Sequence, residues 1–387
     1  MDIVQVTPFP VYPPSRGAEH RSHGLMIGMD DSDRVIRFSS DPISSNREKK
    51  SEISDNYLEI RSQNLLSSIQ GFALNQINAP RVWESNILEY TSWDSLENEL
   101  PMADVVVVDR PWQVPYIAER VDHDTPLVYS SHNVESELYS HLDSSYLTKG
   151  LLTTVRDLEQ NAIETADLTI TISSRDKNIY QNKFDKCGEI HVAPAAGYKN
   201  TIEDQQSASP ALPFNKDSSD FIACFVGNDH YPNIEAVNEI ASMARRTTDD
   251  GVQYLIIGNV CDQFSEDSVP PNMHLLGFVD SIEPYYSLSD IALNPICSGS
   301  GVNIKMLEYF QQGVTTLSTP FGARGVEAEP GVHYAQSDIS NFPEKIVHLK
   351  NNPSEREDMS SNAKLLIQEK LNWETVSKNL FSKLREL

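Results

Sequence analysis

Basic residues are scarce: 31 Lys and Arg stand against 56 Asp and Glu, a formal net charge of −25. No basic stripe survives that background, which argues against direct nucleic-acid binding. The acids are spread along the chain, so the charge belongs to a solvated surface and not to an appended tail. Cysteine is also rare. Cys187, Cys224, Cys261 and Cys297 include no Cys-x-x-Cys pair for zinc, and read as reduced, partly buried thiols. No apolar run approaches the ~18–20 residues needed to cross a bilayer. The start, Met1-Asp-Ile-Val-Gln-Val6, is a strand rather than a secretion signal. That strand is not followed by Gly-x-Gly-x-x-Gly, which argues against a Rossmann dehydrogenase. A cytoplasmic protein is expected, with peripheral contact with the membrane face left open. Its acidity is of the kind halophiles use to stay soluble in concentrated salt, and Lys (15) is no richer than Arg (16).

What is present is alternation. With 387 residues the chain can build two domains. Residues 3–6 read as a buried strand, followed by a Pro/Gly turn over 8–18 and a helix over 19–29. Residues 30–60 read as loop, one short strand (35–38) and linker, and 61–79 as helix. Strands over 103–109, 126–132, 166–173 and 190–194 accompany helices over 151–165 and 175–184. Periodicity fails over 195–220, where Gln205-Gln-Ser-Ala-Ser-Pro-Ala-Leu-Pro213 is the best linker in the chain. It restarts with strands over 221–227, 254–258, 274–277, 291–295 and 315–318. Helices are expected over 233–246, 304–312, 343–350, 353–370 and 373–387. This order argues for an α/β protein with parallel doubly wound sheets. The domains are placed at 1–198 and 220–372, with 199–219 between them.

The strand over 291–295 leads into Ser298-Gly-Ser-Gly-Val-Asn-Ile-Lys-Met-Leu-Glu308, and Gly313 stops the helix that follows. A strand, a Gly-rich turn and a helix N-terminus make an anion cradle, because glycines let the backbone approach while N–H groups and the helix dipole point at the ligand. Gly299, Ser300, Gly301, Val302 and Asn303 supply the turn. Lys305 adds a point charge on the first helical turn, and Glu308 can accept hydrogen bonds from sugar hydroxyls. Thr319-Pro320 and Gly322-Ala-Arg-Gly325 come soon after, with Arg324 read either as an exposed loop residue or as a cation over the site.

This segment resembles the donor-binding motif of glycosyltransferase family 4, the retaining GT-B enzymes that use nucleotide diphosphate sugars. The resemblance extends over most of the chain and is strongest over 221–326. It implies two Rossmann-like domains facing across a cleft, with the final helix crossing back onto the first domain. Glu308 would hold the donor ribose, and Gly227, after the strand Phe225-Val-Gly227, would let the backbone approach. Gly17 would face the donor phosphate, and His132, in Ser131-His132-Asn133, would contact the transferred sugar. Many members carry an acid eight positions before the ribose Glu; here that position is Ser300. Many also place Arg and Lys after the turn at Gly227, where this chain has Asn228, Asp229 and His230.

The resemblance implies transfer of a sugar with retention to a hydroxyl acceptor such as a sugar, a lipid-linked saccharide or a glycoprotein glycan. Together with the acidic composition it suggests assembly of surface glycans or a lipid-linked saccharide at the cytoplasmic face of a halophilic archaeon. No cofactor or metal is implied, and the sequence is read as lacking the Asp-x-Asp motif of the metal-dependent transferases. Two rivals share the fold. One is a non-catalytic scaffold with a degenerate donor site, which Ser300 and the missing basic pair favour. The other is a nucleotide-sugar epimerase, which needs no acceptor.

Overall fold

Uninterrupted β-branched runs such as Val105–Asp109 have no polar face, so they are stable only with both sides covered. That requirement fixes the architecture of the computed structural model, which describes residues 1–387 other than 42–47, 92, 145, 185, 199–211, 215–219 and 300. The expected linker over 199–219 and Ser300 therefore fall almost wholly, and wholly, outside the described residues. Two units are distinguished: Met1–Ala195 with Trp373–Leu387, and Ala196–Asn372.

The first unit holds an eight-stranded sheet. Its strands are β1 (Asp2–Thr7), β2 (Arg34–Asp41), β3 (Lys49–Ser54), β4 (Tyr57–Gln63), β5 (Val105–Asp109), β6 (Leu127–Ser130), β7 (Leu168–Thr171) and β8 (Glu189–Val192). Their spatial order is β3-β4-β2-β1-β5-β6-β7-β8. All ladders are parallel except the β3/β4 pair. The second unit holds β9 (Phe221–Val226), β10 (Val252–Ile257), β11 (Met273–Gly277), β12 (Ile291–Asn294), β13 (Thr315–Ser318) and β14 (Ala335–Gln336). Their order is β11-β10-β9-β12-β13-β14, parallel throughout. Both units are Rossmann-like. Each sheet reverses its strand order once, at β1/β5 and at β9/β12, and in open α/β sheets ligands bind outside the carboxyl ends at such a point.

Separate cores support the sheets. Val4, Val6, Val106, Val108, Tyr129 and Ile163 belong to the first, and Phe225, Ile240, Ile256, Leu293, Leu317 and Phe342 to the second. The helix Trp373–Leu384 packs on the first unit. Gly28 N donates to Ser377 Oγ at 2.8 Å, and Ser377 Oγ donates to the Leu25 carbonyl at 2.6 Å.

Two expectations need correction. The first helix spans Gly17–Gly24, not 19–29, because the Trp373 ring lies against Gly24 and the Ser377 hydroxyl takes over the backbone at Leu25 and Gly28. Residues 30–60 carry three strands where one was expected. The charged centres of β2 and β4 hide them: Arg37 and Glu59 are fully buried but paired, Arg37 Nε with Gln5 Oε1 at 2.9 Å and Glu59 Oε1 with the Ser39 hydroxyl at 2.8 Å.

Candidate functional site

In the second unit the reversal at β9/β12 opens a cavity of about 310 Å³, in the size range of small-molecule sites. Asn228 and His230, after β9, form one wall with Pro232 and Asn233 of the helix Tyr231–Arg246. Ile296, Ser298, Gly299, Val302 and Asn303, after β12, form another, and Lys305 and Arg324 complete the lining. Gly299 and Gly301 have φ of 100° and 73°, a region that residues with a Cβ seldom enter. The turn between β12 and the helix Lys305–Gln312 thus depends on them.

Side chains fix this wall from behind. Asn303 donates to Asn294 Oδ1 at 2.6 Å, and Asn294 donates to the Ser318 hydroxyl at 3.0 Å. Asn233 is the hinge of the polar network: it donates to Asn228 Oδ1 at 2.6 Å and accepts from Lys305 Nζ at 2.7 Å. The Lys305 ammonium also stands 4.2 Å from the Phe225 ring centre. Burial lowers its pKa to about 7, against the raising effect of Glu308. Glu308, one turn further on, retains exposed area, yet the surrounding protein desolvates it enough to raise its pKa. Lys305 and the Tyr286 hydroxyl oppose that rise. Arg324 is half-buried; its guanidinium lies 3.8 Å over the Phe321 ring and donates to the Phe321 carbonyl at 2.8 Å.

The structure therefore brings Gly299, Val302, Asn303 and Lys305 around one cavity, with Gly227 immediately before the lining residue Asn228 and Gly301 inside the turn. Glu308 is not among the lining residues. Arg324, read from the sequence either as an exposed loop residue or as a cation over the site, is half-buried and lines the cavity; Asn233 is a lining residue that the sequence reading does not single out.

Gly17 and His132 belong to the first unit. Gly17 opens its helix, but the N–H groups of Ser15 and Arg16 before it already donate to Glu19 Oε2, at 2.7 and 3.0 Å. His132 follows β6 and is buried, its Nε2 3.6 Å from Asp109 Oδ1 at the end of β5. Burial lowers its pKa to about 4 although Asp109 opposes this. Around it lie other buried charges. Arg21 donates to the carbonyls of Ala193 (2.8 Å) and Ser131 (3.3 Å). Arg110 has φ of 65° and reaches Glu135 Oε1 at 3.5 Å. Burial lifts Glu135 to about 7, with Arg110 opposing and Glu159 adding. Among the described residues neither Glu135 oxygen, neither His132 ring nitrogen, nor Asp109 Oδ1 has a hydrogen-bond partner. Buried polar atoms are rarely left so. Asp109 and Arg110 are consecutive at the end of β5, while His132 and Glu135 lie in the segment after β6, so the cluster forms only when those two parallel strands pair.

The reading that Asp-x-Asp is lacking needs correction, since the spacing occurs at Asp31-Ser-Asp33 and Asp122-His-Asp124. Asp33 is engaged by the N-terminal ammonium at 3.2 Å and by Arg385 at 2.6 Å. Among the described residues no group of three or more His, Cys, Asp or Glu is placed to hold a metal. No helix among them is long and apolar enough to cross a membrane.

Residues 220–352 match the family model for Glycosyl transferases group 1. An uncharacterized 44.6 kDa protein in the cps region of Klebsiella pneumoniae is 26% identical over 187 residues, 44% of this chain and 48% of that one. The chain thus matches about half the length of this relative. Among solved structures, sucrose-phosphate synthase from Thermosynechococcus elongatus superposes with a TM-score of 0.69 at 14% identity, covering 100% of this chain and 99% of its own. Anabaena HepE in complex with UDP gives 0.66 at 13%, covering 100% of both chains. An E. coli trehalose-6-phosphate structure bound with UDP-2-fluoro glucose gives 0.66 at 12%, covering 100% and 99%. The fold is that of the GT-B glycosyltransferases, and the unit carrying the β9/β12 cavity is the one that matches the group 1 glycosyl transferases.

Proposed function

We propose that the chain moves a sugar from a nucleoside diphosphate to a hydroxyl acceptor, with retention, as a member of glycosyltransferase family 4. The observation that carries this is the cavity at the β9/β12 reversal, where a glycine turn, a helix N-terminus and Lys305 converge. Bond cleavage leaves charge on the departing diphosphate. Oriented N–H groups and a cation, held in place beforehand, stabilise such charge without reorganising. The turn from Gly299 to Asn303, with Ser300 in it, would supply the N–H groups, and Gly227 would give the backbone room. Lys305 would supply the cation and Glu308 would fix the ribose.

On the acceptor side His132 would position the sugar, and the Gly17 loop would meet the donor phosphate. No cofactor or metal is required by this scheme. Two structural relatives hold UDP or a UDP-sugar, so a uridine nucleotide is the first probe. The net charge of −25 supports a halophilic source, and a hydroxyl acceptor from surface-glycan assembly at the cytoplasmic membrane face fits the family. The test is thermal unfolding with a panel of nucleoside diphosphates, in high salt, against Glu308→Ala. One nucleotide should raise the melting temperature of the wild type and do so far less in the variant. A cooperative melt that no nucleotide shifts would overturn the proposal.

A further inference from the structure

The helix Leu65–Asn75 is turned inside out. Its buried face is Ser67, Gln70, Gly71 and Leu74, while Leu65 (70%), Ile69 (57%) and Phe72 (72%) are exposed. Spacings of four and three put those three apolar residues on one helix face. The inward polar groups have a reason: Ser67 Oγ and Gln70 Nε2 each donate to the buried Glu84 carboxylate at 3.0 Å, and Gln70 Oε1 accepts from Trp83 N at 2.8 Å. That last bond holds Trp83, 46% exposed, beside the helix. Leu66 (47%) and Ile77 (41%) add to the apolar surface.

Charge is missing from the same stretch. Ser62 to Pro80 contains no Asp, Glu, Lys, Arg or His, in a chain where 22% of residues are charged. The flanking cations turn inward, Arg61 toward Glu59 at 3.4 Å and Arg81 toward the Pro8 carbonyl at 3.4 Å. We propose that this face is a self-association surface, on which a second copy of the chain docks by pairing the helix Leu65–Asn75 with its own counterpart.

Charge decides the occupant. Helices that lie on membranes carry Lys and Arg on their polar face, and this helix has neither. A chain of net charge −25 is also repelled by an anionic leaflet. Two copies repel each other equally, so their interface must be free of acids, and here it is. Interface cores are depleted of charge and rich in aromatic residues. With roughly 200 Å² for each large apolar side chain, the six residues expose on the order of 650 Å². A stable interface takes about 800 Å² per partner. A two-fold axis needs only one such patch on each copy.

Sedimentation velocity of the full chain over a concentration range, at low and high salt, tests this. The wild type should run as a dimer whose association tightens with salt, as screening removes the repulsion between copies. Ile69→Glu with Phe72→Glu should weaken dimerisation roughly a hundredfold or more, and Phe72→Ser should weaken it less. All variants should keep the wild-type circular dichroism. A wild type that stays monomeric, or a double variant that associates as tightly as the wild type, would overturn the proposal. So would a monomer that floats with phosphatidylcholine vesicles through this face.

Discussion

The two sheets reverse strand order in the same way, and the chain equips the two reversals differently. After β9 and β12 it places glycines, asparagines and a cavity, with the half-buried cations Lys305 and Arg324 in its lining. After β1, β5 and β6 it packs Arg21, Asp109, Arg110, His132 and Glu135 into the protein, several of their polar atoms without partners. One reversal offers space and backbone N–H groups. The other holds fixed charge under tension, since unpaired buried polar atoms and a non-glycine φ of 65° at Arg110 both cost energy. A binding role suits the first and a positioning role the second. Variants at each should therefore fail in different ways.

The largest effect is expected at Gly258, which follows β10 with φ of 104°. A Cβ there would stand 2.3 Å from the Gly227 carbonyl oxygen, so backbone must move. Gly258→Ala should cost roughly 3 kcal/mol or more, measured by denaturant unfolding, and should abolish nucleotide-induced stabilisation. A variant with wild-type stability would show that the strand ends around the cavity are softer than their geometry implies.

Next come two substitutions expected to split binding from turnover. Lys305→Met removes a charged hydrogen-bond donor from the cavity, worth roughly 1.5–3 kcal/mol, so nucleoside diphosphate affinity should fall about 10- to 100-fold by calorimetry. His132→Ala should leave that affinity unchanged and lower turnover about a hundredfold through lost positioning. If His132→Ala weakened nucleotide binding as much as Lys305→Met does, the division of labour between the two reversals would be wrong.

How far this was legible in the sequence follows the same contrast. The strands β1, β5, β9 and β12 stand out because an unbroken apolar run has one stable setting, the middle of a covered parallel sheet. The strands β2 to β4 do not. Arg37 and Glu59 look like surface residues until Gln5 and Ser39, from other strands, are seen to pair with them. Asp55-Asn56 between β3 and β4 did carry a hairpin signal that went unused. In the second unit the glycine turn and Lys305 are contiguous in sequence, so they could be read as one motif. Asn233, 72 residues from Lys305, could not. In the first unit His132 and nearby Glu135 stand in one readable segment after β6, but their meeting with Asp109 and Arg110 at the end of β5 appears only once the sheet pairs those two strands.

The last test is the pH dependence of stability, where the two units carry opposite signs. Burial raises the Glu135 carboxyl from 4.5 to about 7, so the folded protein holds that proton where the unfolded chain has lost it. The resulting stability is present below about pH 4.5 and is lost as pH rises through about 7. Burial lowers Lys305 from 10.5 to about 7, so the folded protein releases a proton that the unfolded chain keeps. Its contribution is present above about pH 10.5 and is lost as pH falls through about 7. The two slopes should be opposite in sign, stability falling with pH over the Glu135 window and rising with pH over that of Lys305. Melting temperatures measured across pH should therefore lose the acid-side fall in Glu135→Gln and the alkaline-side rise in Lys305→Met. If both substitutions flattened the same limb, the two groups would be titrating as one system, and the contrast between a charge-packed reversal and an open one would have to be abandoned.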